Sequence, residues 1–166
     1  MRLLLFSLIN FLLFGTFVSA NEIYVSQTGS GNNLNLQITQ DGEDNKVDMS
    51  VGNHTNNTVT IEQKGDDGYV GYTSLWGSGY TWGGDLDGND NNLNIKQLCN
   101  QTPCGGDKFE FHITGSNNDV DFYQGYRVNA DGSLHTTDDY EYGGHFVRVD
   151  IHGSNNTFLG SQRSNN

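Results

Sequence analysis

Residues 36–51, LQITQDGEDNKVDMSV, consist of two short alternating segments joined by a Gly-x-x-Asn step. On both sides of Gly42 and Asn45, apolar side chains recur at every second position, as in a strand with one buried and one solvated face. Glycine accepts a positive φ without a Cβ clash, and asparagine tolerates left-handed geometry in a turn. The stretch therefore predicts a strand, an arc and a second strand.

The same step recurs along the chain, at Gly29-x-x-Asn32, Gly42-x-x-Asn45, Gly88-x-x-Asn91, Gly115-x-x-Asn118 and Gly153-x-x-Asn156. Gly42 and Gly65 are 23 residues apart, as are Leu36 and Val59. A unit that returns at such a period is typical of stacked repeats. We therefore predict an all-β fold, a β-solenoid of stacked strand–arc–strand repeats. Alternation predicts strands at about 22–28, 33–41, 46–51, 57–64, 91–98, 108–114, 119–124, 145–152 and 156–162.

Stacking would place equivalent polar side chains over one another at about 4.8 Å. Amide side chains at that spacing can bond from layer to layer, as they do in cross-β assemblies. We expect one ladder of the step asparagines, Asn32, Asn45, Asn91, Asn118 and Asn156. Two glutamine ladders are also expected, one of Gln27, Gln40 and Gln63 and one of Gln97, Gln124 and Gln162.

Three insertions interrupt the repeat, at about 65–88, 99–107 and 125–144. Insertions of this kind fall at turns, because they leave the stacked strands undisturbed. Cys99 and Cys104 lie in the second insertion, and in an exported protein they predict a local disulfide. The aromatic residues between Tyr69 and Trp82 in the first insertion either contact a sugar or a partner protein or fold back on the stack, and the sequence leaves both open.

Residues 1–20 have a basic start, an apolar run and small residues at the end, which indicates a secretory signal peptide. We assign residues 21–166 to one repeat domain. The formal net charge of −12 argues against nucleic acid and anionic lipid as partners. No second apolar run is long enough to cross a bilayer, so we expect an exported protein without membrane insertion.

Catalytic chemistry is not indicated. The five histidines show no metal-ligand or triad spacing, so we expect neither an enzyme nor a cofactor. His112 and His152 stand three and one residues before their glycines, which we interpret as different phases of a strand. Calcium is a weak alternative, because oxygen-bearing side chains alternate around Gly88, although such residues are also common in metal-free turns. The calcium candidates are Asp85, Asp87, Asn89 and Asp90.

The repeat resembles the curlin repeat, in which Gln-x-Gly-x-x-Asn is followed by a further glutamine nine residues after the glycine. Curlins are the secreted subunits of curli, the extracellular amyloid fibres of bacterial biofilms. The resemblance implies an amyloid-competent subunit whose partners are copies of itself or related fibre subunits, with an outer-membrane secretion machinery. The first half of the motif occurs at Gln27–Asn32 and Gln40–Asn45. The second half occurs at Gly88, Asn91 and Gln97, at Gly115, Asn118 and Gln124, and at Gly153, Asn156 and Gln162.

No copy of the motif is complete. Ile38 and Val51 stand where the later glutamine is expected, and Ile113 and Ile151 replace the earlier one. The departures leave open whether the chain is a major fibre subunit or a minor, nucleating or fibre-capping one.

Two functions follow from these features. No polar capping unit is recognisable at either end of the repeat, so an exported stack would add to itself. The first hypothesis is a structural protein that forms curli-like fibres (pili or fimbriae) for the biofilm matrix and surface adhesion. The alternative is a monomeric secreted β-solenoid that binds carbohydrate, calcium or a cell surface through its inserted loops.

Overall fold

The computed structural model describes residues 20–28, 33–52, 55–71, 84–99, 106–125 and 143–163. Every regular element within these ranges is a β-strand. No helix there is long and apolar enough to span a membrane, and the predicted signal peptide lies almost wholly outside them. The strands are β1 (Glu22–Gln27), β2 (Asn35–Asp41), β3 (Lys46–Val51), β4 (Thr58–Lys64), β5 (Tyr69–Val70), β6 (Gly84–Asp87), β7 (Asn92–Leu98), β8 (Lys108–Thr114), β9 (Asp119–Gln124), β10 (Phe146–His152) and β11 (Thr157–Gln162).

The strands form two parallel sheets, which confirms the predicted all-β class. The first sheet has the order β1-β3-β5-β8-β10, with β6 also pairing to β3 and β8. The second has the order β11-β9-β7-β4-β2. The chain thus alternates between the sheets, and each return adds a strand beside the previous one. We call the successive strand pairs layers: layer 1 is β1 and β2, layer 2 is β3 and β4, layer 3 is β5, β6 and β7, layer 4 is β8 and β9, and layer 5 is β10 and β11.

Register is kept from layer to layer. In the second sheet Leu36 pairs with Val59 and Ile38 with Ile61, so the 23-residue spacing of the sequence is the spacing of register partners. In the first sheet Ile23 pairs with Val47. Because side chains alternate between faces, this register fixes which residues form each column along the stack.

Apolar columns from both sheets form one core. Val47, Ile61 and Leu93 are at most 1% exposed, and the Phe109 ring of the first sheet lies 5.0 Å from the Phe122 ring of the second. Burial of such side chains stabilises a fold by about 1.5–3 kcal/mol each. The central layers therefore carry most of the apolar core.

Two glycines make room for aromatic rings inside this core. A Cβ at Gly84 would lie 2.7 Å from ring atoms of Phe111, its register partner. A Cβ at Gly160 would lie 2.5 Å from ring atoms of Phe122, its own partner in the neighbouring layer. In each of these two columns a phenylalanine thus pairs with a glycine of the neighbouring layer.

The predicted strand boundaries agree with the structure to within two residues, except in the first insertion. There, β5 and β6 together occupy the place of one first-sheet strand between β3 and β8. The segment contains few alternating apolar residues, so its strands were not expected. These two short segments are strands because they pair with the full-length strands β3 and β8 on either side, although their own sequence does not alternate.

Candidate functional site: polar ladders and sheet ends

The glycines of the repeat lie where the chain passes between the sheets. Gly88 has φ of 123°, and a Cβ there would overlap the carbonyl oxygen of Gly115 in the next layer. Two residues after the glycine the backbone is left-handed, as at Asp90 with φ of 56° and Asn117 with φ of 57°. The expectation that the step asparagine itself adopts this geometry is wrong, because the residue before it does.

The step asparagine instead holds the turn of the next layer through its buried side chain. Asn91 is 2% exposed, its Nδ2 donates to the Gly115 carbonyl oxygen (2.9 Å), and its Oδ1 accepts from the Asn118 backbone N–H (2.9 Å). A buried amide without partners would be costly, and this arrangement satisfies both ends. The same pair of bonds joins Asn57 to Gly88 and Asn91, and Asn118 to Gly153 and Asn156.

A second column of the same design lies on the opposite turn. Asn45 donates to the Gly65 carbonyl oxygen (2.8 Å) and accepts from the Gly68 N–H (2.9 Å). Asn21 makes the corresponding bonds to Gly42 and Asn45. The predicted single ladder of Asn45 with Asn91, Asn118 and Asn156 is therefore wrong, because each layer passes through two turns and the motif occurs in both.

Two members of the predicted set, Gly29 and Asn32, lie outside the described residues. Asn57 takes part in the column although the prediction omitted it, since an extra pair of residues after Gly52 breaks the Gly-x-x-Asn spacing. Its position directly before the alternating segment of β4 could have identified it.

The glutamines form one ladder in the second sheet. Gln40 Nε2 donates to Gln63 Oε1 (2.9 Å), Gln63 to Gln97 (2.9 Å) and Gln97 to Gln124 (2.8 Å). Gln63, Gln97 and Gln124 are at most 2% exposed, and Gln162 continues the same column by register. The ladder has a direction, because in all three bonds Nε2 donates toward the higher-numbered layer. Gln124 Nε2 donates to the Lys108 carbonyl oxygen of its own layer.

The predicted division into two glutamine ladders is wrong. Gln27 belongs to the first sheet, where its register partner is Val51. Its column continues with the apolar residues Leu86, Ile113 and Ile151. Gln27 and Gln40 each stand two residues before a glycine, and this spacing occurs in both sheets. The prediction therefore put the two residues in one ladder.

The two ends of the stack differ from its centre in exposure. Ile23 and Tyr24 of β1 are 56% and 66% exposed, and Leu159 of β11 is 53% exposed. Within the described residues no strand pairs with the outer edges of β1, β2, β10 and β11. Edges of this kind are templates for pairing with another chain.

Ionisable groups on the outer face of the second sheet are paired both within a strand and across layers. Lys64 Nζ and Lys96 Nζ lie 2.9 and 3.1 Å from the Glu62 carboxylate. Burial opposes ionisation of Glu62, but the hydrogen bonds from the two lysines outweigh it and lower its pKa below 4.5. Burial and the nearby Asp121 carboxylate raise the pKa of Tyr123 above 10.0.

Two histidines come together on the outer face of the first sheet. The rings of His112 and His152 lie 5.0 Å apart, with Asp150 beside both. The expectation that they occupy different phases of a strand is wrong, since both lie at odd offsets from their glycines and face the same side. His54 and His135 lie outside the described residues, and His145 is buried with its Nδ1 2.8 Å from Asp107.

Three of the calcium candidates contact protein side chains or backbone groups of neighbouring layers. Asn89 Oδ1 accepts from Thr55, Asp90 Oδ1 accepts from Asn56, and Asp85 Oδ2 lies 3.7 Å from His112 Nε2. Within the described part of the chain, the carboxylates of Asp85, Asp87 and Asp90 do not form a metal-binding group of three.

Two predicted features fall at the limits of the described residues. Cys99 is disulfide-bonded. Cys104, the other cysteine in the sequence, lies outside the described residues. The predicted aromatic segment also lies outside them after Gly71 and as far as 83, whereas Tyr69 belongs to β5.

The comparisons with protein-family models, with curated proteins and with solved structures find no match to this chain.

Proposed function

We propose that this protein is a secreted structural subunit that self-assembles end to end into extracellular, curli-like amyloid fibres. In this proposal the five layers are turns of a β-solenoid, and growth adds the layers of one copy to those of the next. The residues that act are those of the ladders and the sheet ends, and the partners are copies of this chain or related subunits. The resemblance to the curlin repeat and the leader-like segment 1–20 support export to the cell surface.

The observation that carries the proposal is the match between the two ends. If a second copy continues the register, its layer 1 follows layer 5 of the first. Its Ile23 and Val25 then align with Val147 and Val149, and its Leu36 with Phe158. These are inward-facing positions, so the apolar columns would continue across the junction without a break.

Polar residues at the ends match as well. Gln162 would align with Gln40 of the next copy, and Arg163 with Asp41, since β11 and β2 end at corresponding positions. Gln40 uses its Nε2 to bond Gln63, so its Oε1 remains for a donor from the preceding copy. The direction of the ladder therefore favours joining layer 5 to layer 1, rather than two like ends.

Proline can block each end separately. The Glu22 and Thr28 N–H groups donate to layer 2, so the Val25 N–H, which alternates with them, faces outward. The carbonyl groups of Asn156, directly before β11, and of Gln162 accept hydrogen bonds from layer 4, so the Leu159 N–H, which alternates with them, faces outward. Proline at such an edge removes the donor and is tolerated by the strand.

We expect Val25→Pro and Leu159→Pro each to abolish fibre growth by the purified variant, measured by thioflavin fluorescence and electron microscopy. An equimolar mixture should form a heterodimer, detected by size-exclusion chromatography with light scattering, because each variant retains the end that the other lacks. Val25→Thr and Leu159→Ser keep the N–H groups and serve as controls. Parent fibres should diffract at about 4.7–4.8 Å along the meridian.

Two results would overturn the proposal. A parent protein that stays monomeric for days would favour the monomeric secreted protein that binds through its loops. Dimers formed by Val25→Pro alone would show that like ends join.

A further inference from the structure

Histidine and aspartate side chains cluster on the outer face of the first sheet, at layers 4 and 5. Parallel pairing of β8 and β10 places His112 beside Asp150 and Thr114 beside His152. His112, Asp150 and His152 each offer one ligand atom, and these atoms lie within 4.8 Å of one another. The structure thus joins three side chains that are separated by as many as 40 positions in the sequence.

Asp150 lies at the centre of this cluster. Its Oδ1 is 3.3 Å from His112 Nδ1 and 2.9 Å from His152 Nε2. We propose that His112, Asp150 and His152 form a binding site for a divalent transition-metal ion such as Zn²⁺. Small side-chain rotations would bring the two imidazoles and the carboxylate to the distances of about 2.0–2.2 Å that Zn²⁺ requires.

The ligand types select the class of metal. Two imidazole nitrogens suit Zn²⁺, Cu²⁺, Ni²⁺ and Co²⁺, whereas Ca²⁺ and Mg²⁺ take oxygen ligands. Three protein ligands leave a fourth position for water or for another side chain. Asp85 does not fill that position, because its Oδ2 lies 3.7 Å from His112 Nε2, on the opposite side of the ring from Asp150; it is instead a partner for the second ring nitrogen.

Neighbouring residues support the site. The Thr114 hydroxyl lies 2.7 Å from His152 Nδ1 and holds the ring so that Nε2 faces Asp150. A partner on the second ring nitrogen is usual for metal-bound histidine. The side chains of Asp150 and His152 are 40% and 62% exposed, so the ion can enter from solvent, and the net charge of −12 attracts cations to the surface.

Binding would join the last layer to the stack. His112 belongs to β8, and the other two ligands belong to β10, 38 or more positions later. An ion that binds only the folded arrangement stabilises it in proportion to its saturation. The metal would therefore stabilise the packing of layer 5, one of the two ends of the stack, against layer 4. This stabilisation does not depend on fibre formation.

The test is titration of the purified protein with Zn²⁺ by calorimetry, and with Co²⁺ by visible absorption. We expect one equivalent to bind, Co²⁺ to give the intense bands of a four- or five-coordinate ion, and a hundredfold excess of Ca²⁺ not to displace it. His112→Gln, Asp150→Asn and His152→Gln should each weaken binding by about tenfold or more. Thr114→Val should weaken metal binding less than these variants do, and Thr114→Ser, which keeps the hydroxyl group, should bind the metal as the parent does.

The double variant His54→Asn/His135→Asn is the matched control for unspecific histidine binding and should keep the affinity. Zn²⁺ should raise the thermal midpoint of the parent and of this control, but not that of Asp150→Asn. Unchanged affinity in His112→Gln and in Asp150→Asn, each shown to be folded by circular dichroism, would overturn the proposal. Loss of binding in the double control, or displacement by Ca²⁺, would overturn it as well.

Discussion

The central and terminal layers share one sequence pattern but differ in what covers them. Val47 in layer 2 is 1% exposed, whereas its register partner Ile23 in layer 1 is 56% exposed. Gln97 has amide partners on both sides, but Gln162 Oε1 has no hydrogen-bond partner among the described residues. The repeat therefore does not set burial by itself, because a layer is buried only when it has neighbours on both sides.

If the proposed assembly is correct, substitutions in central layers should mainly change the stability of one copy, and substitutions in terminal layers should mainly change the association of copies. A residue in a central layer contributes to folding of one copy through contacts on both sides. The same residue type in a terminal layer contributes about half of those contacts, and its other side is available for a second copy. Paired substitutions at central and terminal positions of one column can test this separation.

The largest difference is expected in the glutamine ladder. Gln97→Leu leaves Gln63 Nε2 and Gln124 Oε1 without their amide partners in a buried column. Each unsatisfied buried group costs about 1–3 kcal/mol, so we expect the free energy of unfolding to fall by about 2–5 kcal/mol in urea denaturation. Gln40→Leu, at the partly buried end of the same ladder, leaves only Gln63 Oε1 without its amide partner and should cost less, about 1–2 kcal/mol. Equal losses in the two variants would contradict the distinction between centre and end.

The strands could be predicted from the sequence because a period of two is a local property. Val47, Met49 and Val51 show it within a single segment, and so do Phe109, Phe111 and Ile113. The turns were located for the same reason, since Gly42 and Gly115 must accept positive φ. Among the strands of the described residues, β5 and β6 alone were missed, because neither is long enough to display alternation.

The composition of the columns could not be predicted from local sequence. Asn45 and Asn91 stand in the same motif but lie on opposite turns, and Gln27 and Gln40 lie on opposite sheets. Assigning a copy of the motif to a sheet or turn requires the number of turns that separate it from the next copy. Two features obscure that number: the extra residues after Gly52, and the division of the third first-sheet strand into β5 and β6. The approach of His112 to His152 likewise depends on register across 38 residues between their strands.

The second comparison concerns the glycines that face aromatic rings. Gly84→Ala in layer 3 would press a methyl group against Phe111 and Met49, both held in the centre of the core. Overpacking of this kind costs about 1–3 kcal/mol, and thermal or urea unfolding would measure it. Gly160→Ala makes a similar contact with Phe122 but lies in the terminal strand β11, which can move outward, so we expect less than about 1 kcal/mol.

A partial recovery would identify the ring contact as the cause. Phe111→Leu in the Gly84→Ala background should be less destabilised than the sum of the two single variants, because the smaller side chain makes room for the methyl group. A larger loss in Gly160→Ala than in Gly84→Ala would show that β11 is held as firmly as the central strands.

The smallest effect is expected from the ion pairs. The pKa of Glu62 is lowered in the folded protein because the hydrogen bonds of Lys64 and Lys96 outweigh burial. The contribution of Glu62 to the free energy of unfolding is thus present above the ordinary carboxyl pKa of 4.5 and is lost as the pH falls through the lowered pKa.

Solvent screens the ion pairs of Glu62, so Glu62→Gln should reduce the stability difference between about pH 7 and about pH 3 by a few tenths of a kcal/mol. Glu22→Gln in terminal β1, where the carboxylate lies 3.2 Å from Lys46 and is 66% exposed, is the matched control for an ion pair at the end of the stack. If Glu62→Gln changes the difference no more than Glu22→Gln does, in urea denaturation at the two pH values, the central ion pairs are no more effective than those at the ends.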